Sequence, residues 1–143
     1  MTPVAYHVTS IAKLASIRKH GLHASSYWTV SMPLAQYYCE TVEDEGEEPV
    51  ILVVPLAQLP ESNRIPDHNG IEEPIMSVVR EISGLFNEAQ IWSAWDSSDK
   101  DWLTSMHLIG SFVVTAPVAP ERLLVMNEDW RDTQSPSLLT AIH

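Results

Sequence analysis

His7 and Tyr27 stand where two short apolar stretches of this chain run into helix-like segments. A neutral imidazole offers one donor and one acceptor, enough to hold a sugar hydroxyl. A phenol offers a flat face on which another ring can lie. Together the pair could clamp a nucleoside, ribose on the imidazole and base on the phenol. The plainer reading is a locally bonded strand-end histidine and a core tyrosine. Other chemistries are poorly served. The 5 glycines do not cluster, so no loop is built to cradle phosphates. The six histidines are scattered and HExxH does not occur, so no metal site is expected. His20 and His23 are three apart but straddle Gly21, which keeps them off a common helix face. Cys39 lies beside Glu40, where a thiolate is disfavoured, and reads as a small apolar group. Ser105 and His107 lack the elbow that would mark a nucleophilic serine.

The elements that must position His7 and Tyr27 follow from periodicity. Val4 to Val8 is partly β-branched and predicts a buried strand. Thr9 or Ser10 can cap the helix after it, whose apolar face is Ile11, Leu14, Ala15 and Ile17, with Gly21 as its stop. Tyr27 to Val30 predicts a second strand. Ser31 caps a second helix, with Pro33 in its first turn and Leu34, Ala35, Tyr37 and Tyr38 on its buried side. Glu40 to Pro49 is acidic with a central glycine and reads as an exposed loop. Val50 to Val54 is apolar throughout, as in a strand covered on both faces.

Beyond that strand the signals weaken. Pro66 to Gly70 predicts a turn and Pro74 to Ile82 a short helix. Asn87 to Trp95 fits helix or strand, and Asp96 to Asp101 reads as a loop. Ser111 to Ala116 and Arg122 to Met126 predict two late strands. Trp92, Trp95 and Trp102 are expected mainly as core. The order implies an α+β fold: one domain over residues 1–126, then a C-terminal tail over 127–143.

Composition narrows the partners. Eight Lys and Arg against 19 Asp and Glu leave a formal charge of −11, which repels phosphate backbones. Nucleic acid is therefore not the expected macromolecular partner; a neutral or basic protein is. No apolar run approaches the roughly 20 residues of a membrane span, and MTPVAYHV lacks the basic and long apolar segments of a secretory signal, so none is expected. A single cysteine fits a reducing compartment, so the expected location is cytoplasmic.

Two stretches, YHVTSIAKLASIRKHGL (Tyr6 to Leu22) and SYWTVSMPLAQYYCE (Ser26 to Glu40), resemble the first two motifs of the ADP-ribosyltransferase superfamily. VILVVPL is similar to the core strand that follows them, and SFVVTAPVAPERLLVM to the last pair of strands. The likeness spans roughly Val4 to Val54 and Ser111 to Met126. It implies a split, curved β-sandwich flanked by helices, with NAD bound as a substrate in the cleft and no metal. By the same likeness His7 would bond a ribose of NAD, Tyr27 would stack on nicotinamide, Thr9 would sit beside the dinucleotide and Tyr38 would shape the pocket. The third motif supplies a catalytic glutamate that steadies the oxocarbenium-like charge as nicotinamide leaves.

Here the chain departs from the pattern. Ser111, or its neighbour Phe112, occupies the glutamate position, and neither carries charge. Glu88 is the first candidate to replace it, with Glu72 and Glu73 as others. The related RNA phosphotransferases need a basic surface, and Arg18, Arg64, Arg80, Arg122 and Arg131 are too few and dispersed. The resemblance thus implies an NAD-dependent mono-ADP-ribosyltransferase acting on a protein target, in the manner of a small bacterial or phage toxin, effector or anti-defence factor. The rival is an inactive domain of the same fold whose acidic surface engages a basic or nucleic-acid-binding partner. Oligomeric state is left open.

Overall fold

The computed structural model describes residues 3–126, 130–131 and 139–141. Its strands are β1 (Val4–Ser10), β2 (Ser26–Thr29), β3 (Pro49–Pro55), β4 (Arg64–Pro66), β5 (Ser111–Val114), β6 (Leu124–Met126) and β7 (Leu139–Ala141). The helices are α1 (Ile11–His20), α2 (Met32–Asp44), α3 (His68–Glu72), α4 (Met76–Ser83), α5 (Glu88–Asp96) and α6 (Trp102–Ile109). The α+β expectation is met. The strands form one sheet in the order β4-β5-β2-β1-β3-β6-β7, antiparallel at every junction.

Period-two alternation in β3 explains the core. Leu52 and Val54 face one side with Ala5, Trp28 and Phe112, against Leu14 and Ile17 of α1. Ile51 and Val53 face the other with Tyr6, against Met32, Ala35 and Cys39 of α2. Each buried Val, Leu or Ile contributes about 1.5–3 kcal/mol of burial energy, which is why every position of this strand is apolar. A satellite core of Ile71, Val79, Ile91, Trp95 and Ile109 joins α3, α4, α5 and α6.

Several expectations are corrected. Ser10 occupies the N-cap of α1 but makes no capping bond; its hydroxyl is buried without a partner. Ile11, Ala15 and Tyr37 are exposed, so their helices bury narrower stripes than periodicity suggests. The acidic segment is not a loop at first: α2 runs on through Asp44, because Ala35, Cys39 and half-buried Val42 continue its inner face. The Pro66 to Gly70 turn is the start of α3, capped by Asp67. The ambiguous Asn87 to Trp95 stretch is helical, because the Asn87 side chain accepts from the Gln90 amide. Trp95 is core, whereas Trp92 is 41 % exposed. Residues 130–131 and 139–141 of the expected tail belong to the fold: Trp130 packs in the α2-side core and β7 pairs with β6. The rest of 127–143 lies outside the described residues.

One junction differs from the others. β1 pairs with β3 over seven register positions and β2 with β5 over four. β1 and β2, the strands of His7 and Tyr27, share only Tyr6↔Thr29. The sheet is therefore all but parted along its middle.

Candidate functional site

At this seam a side chain does part of the work of a ladder. His7 Nδ1 lies 2.7 Å from the carbonyl oxygen of Tyr27, 20 residues away in sequence. A carbonyl only accepts, so Nδ1 carries the proton and Nε2 keeps its lone pair. Burial pushes the imidazole below its usual 6.5; the Tyr27 carbonyl opposes that and the charge of Lys13 reinforces it. The ring is thus neutral at physiological pH, with one acceptor to offer. It rests against the buried indole of Trp28 at 5.4 Å between centroids.

Tyr27 is the aromatic partner. It is 47 % exposed although it belongs to a central strand. Asn69 Nδ2 donates to its hydroxyl at 3.1 Å, which fixes the tip of the ring and leaves its face open. Tyr38 comes from α2. Its pKa is pushed up to about 12, first by burial and then by the charge of Asp67, with Ser111 opposing the rise. The Ser111 hydroxyl donates to Asp67 Oδ2 at 2.7 Å. The other Asp67 oxygen accepts from the Gly70 amide at 3.0 Å as the cap of α3. Ser105 completes the network, accepting from the Asp67 amide and donating to the Ser111 carbonyl.

These groups surround a cavity of about 520 Å³ lined by His7, Tyr6, Tyr27, Tyr38, Asp67 and Glu73 among others. Its size is that of a small-molecule site. Its described lining holds two carboxylates and no lysine or arginine. Three phenol rings and net negative charge suit a flat, cationic group.

The structure brings together His7, Tyr27 and Tyr38. Thr9 is 8 % exposed and lines a separate groove on the far side of His7. Ser111 is 1 % exposed and sits behind Tyr38 and Asp67, so it orients other groups and cannot touch a ligand in the cavity. Glu88 does not reach the cavity either: Asn87 caps α5 and leaves Glu88 exposed in its first turn. Glu73 does line the cavity, and Glu72 does not. The residue missed from sequence is Asp67. Its signal was there, an Asp followed three residues later by Gly70, but as a turn rather than as the cap that buries a carboxylate.

Cys39 is fully buried and its thiol is pushed up to about 12 by burial, with the charge of Glu43 adding to it; this group is packing, not a nucleophile. Among the described residues no group of three or more His, Cys, Asp or Glu could hold a metal, and no helix is long and apolar enough to cross a membrane.

No protein-family model matches the chain, and no curated protein or solved structure is significantly similar to it.

Proposed function

We propose that the chain is an NAD-dependent mono-ADP-ribosyltransferase with the parted sheet as its cleft. The observation that carries this reading is the meeting of His7 and Tyr27 across the β1–β2 seam, at the wall of one cavity. Nicotinamide in NAD is a flat cation, which matches the phenols and carboxylates there. In the reaction the bond between the ribose carbon and the nicotinamide nitrogen breaks, and its electron pair leaves with neutral nicotinamide. The sugar becomes oxocarbenium-like, and a nucleophile of the target protein adds to it with loss of a proton. His7 Nε2 would accept from a ribose hydroxyl. Both Asp67 oxygens are already engaged, so the charge-steadying role falls to Glu73, whose carboxylate makes no bond to a described residue. The protein target, the cytoplasmic setting and a toxin, effector or anti-defence role stand as parts of this proposal.

A second reading has one observation behind it. Glu43, Asp44, Glu45, Glu47 and Glu48 are exposed around the end of α2, an acidic surface that an inactive domain could offer to a basic partner. Calorimetry with NAD on the wild type, His7→Ala and Tyr27→Ala separates the two. Binding lost in both variants, with nicotinamide release that falls in Glu73→Gln, supports the enzyme. No binding at millimolar NAD overturns it and leaves the interaction domain.

A further inference from the structure

His7 has a second neighbourhood. On its other side lies a groove of about 560 Å³ between α1 and the α1–β2 connection. Its character is opposite to that of the cavity. Lys13 and His23 line it, with hydroxyls from Thr9, Ser16, Ser25 and Ser26, and no described carboxylate. In a chain of formal charge −11 such a stretch is unusual. The Lys13 ammonium forms no ion pair with a described residue. Its charge is felt at His7. Lys13 stands one turn after Thr9 and three residues before Ser16, at the N-terminal, electropositive end of α1. Thr9 adds the second mark of a site. It is more than nine-tenths buried, yet its hydroxyl makes no hydrogen bond with a described residue. The buried side-chain atom without a partner among the described residues is Ser10 Oγ, so the Thr9 hydroxyl stays accessible from the groove that it lines and is free to bond a ligand there.

We infer that this groove is an anion site, in which Lys13 and the Thr9 hydroxyl hold the phosphate groups of the ligand whose ring enters the cavity beyond His7. The inference rests on the proposed dinucleotide reading for its ligand, and its two halves can fail separately. A flat cation on one side of an imidazole and a phosphate on the other describe a single zwitterionic molecule. The charge pattern on the two sides of His7 matches it.

The test uses three probes on the full chain: NAD, nicotinamide riboside (which has no phosphate) and inorganic pyrophosphate. Lys13 is exposed, and Lys13→Ala disturbs no packing. The expected result is a loss of about tenfold or more in NAD affinity in Lys13→Ala, partial rescue by Lys13→Arg, and unchanged affinity for nicotinamide riboside. Thr9→Val should weaken NAD several-fold without lowering the melting temperature, a pairing that a structural threonine would not give. Pyrophosphate bound in a Lys13-dependent way, with no binding of NAD, would support the groove and sink the dinucleotide reading. NAD binding unaffected by Lys13→Ala would overturn the groove and spare that reading. No binding of any probe at millimolar concentration would overturn both.

Discussion

Ser111 and Asp67 make a contact whose worth can be measured directly. The 2.7 Å bond joins a neutral hydroxyl to a carboxylate, both residues no more than 3 % exposed. A hydrogen bond to a charged group contributes about 1.5–3 kcal/mol, so Ser111→Ala should cost about 2 kcal/mol. Asp67→Ala removes the same bond and also the cap of α3, worth about 1 kcal/mol, for a total near 3 kcal/mol. The double variant has no further bond of this pair to lose. It should also cost about 3 kcal/mol, leaving a coupling energy of about 2 kcal/mol. Urea unfolding of the four proteins supplies all the numbers, provided the slopes agree. A domain of ordinary stability, roughly 5–15 kcal/mol, survives each change well enough to be measured. If the two costs simply add, to about 5 kcal/mol, the bond carries no energy and the account of Asp67 as an anchored carboxylate is wrong.

Three further outcomes are expected. His7 is neutral in the fold because its pKa lies below 6.5, so the unfolded chain takes up a proton first as pH falls. Stability is therefore complete near neutrality and declines below about pH 6.5 by at most about 1.4 kcal/mol per unit, a slope that urea midpoints should show reduced in His7→Gln. Tyr38 titrates the other way: raised from 10.0 to about 12, its phenol ionises first in the unfolded chain. Up to about 2–3 kcal/mol is lost as pH rises through that interval, and the alkaline unfolding profile of Tyr38→Phe should lack this loss. Gly21→Ala should cost about 3 kcal/mol or more in thermal unfolding, because the new Cβ would lie 2.2 Å from the Val118 carbonyl oxygen at φ +75°. Gly84 has a similar φ of +72° but open space around it, so Gly84→Ala should cost only about 1–2 kcal/mol, for the backbone conformation alone.

The parts of the fold legible in sequence are those where one local signal dominates. The β-branched run of β3, the Ser31 and Pro33 start of α2 and the Gly21 stop of α1 each rest on a few adjacent residues. α6 went unread although Asp101 caps it and Gly110 ends it, because Trp102 to Ile109 is apolar without a clean stripe. β4 went unread because three residues carry no period, and its identity comes from pairing with β5. At the candidate site, His7 and Tyr27 were marked by their places at two strand–helix joints, whereas Tyr38 read from periodicity only as part of the inner face of α2. Asp67 was not marked, because its importance depends on Ser111, 44 residues away. Glu88 misled for the mirror reason: an acid in an aromatic neighbourhood is conspicuous in sequence, while exposure is decided by the cap before it.

A sheet of seven strands ordinarily has two rims, one on each outer strand. The near-break between β1 and β2 gives this one two more, facing each other inside the domain. Backbone amides and carbonyls along these inner rims need partners as much as any others do. The Tyr27 carbonyl has found His7. Tyr6 and Thr29 pair with each other, and the rest must turn to water or to whatever enters. Amides of β1 directed toward β3 should therefore exchange with deuterium slowly and those directed toward β2 quickly, alternating along a strand that lies at the centre of the molecule. A guest seated in the seam would slow the fast set, completing a sheet that the chain by itself leaves unclosed.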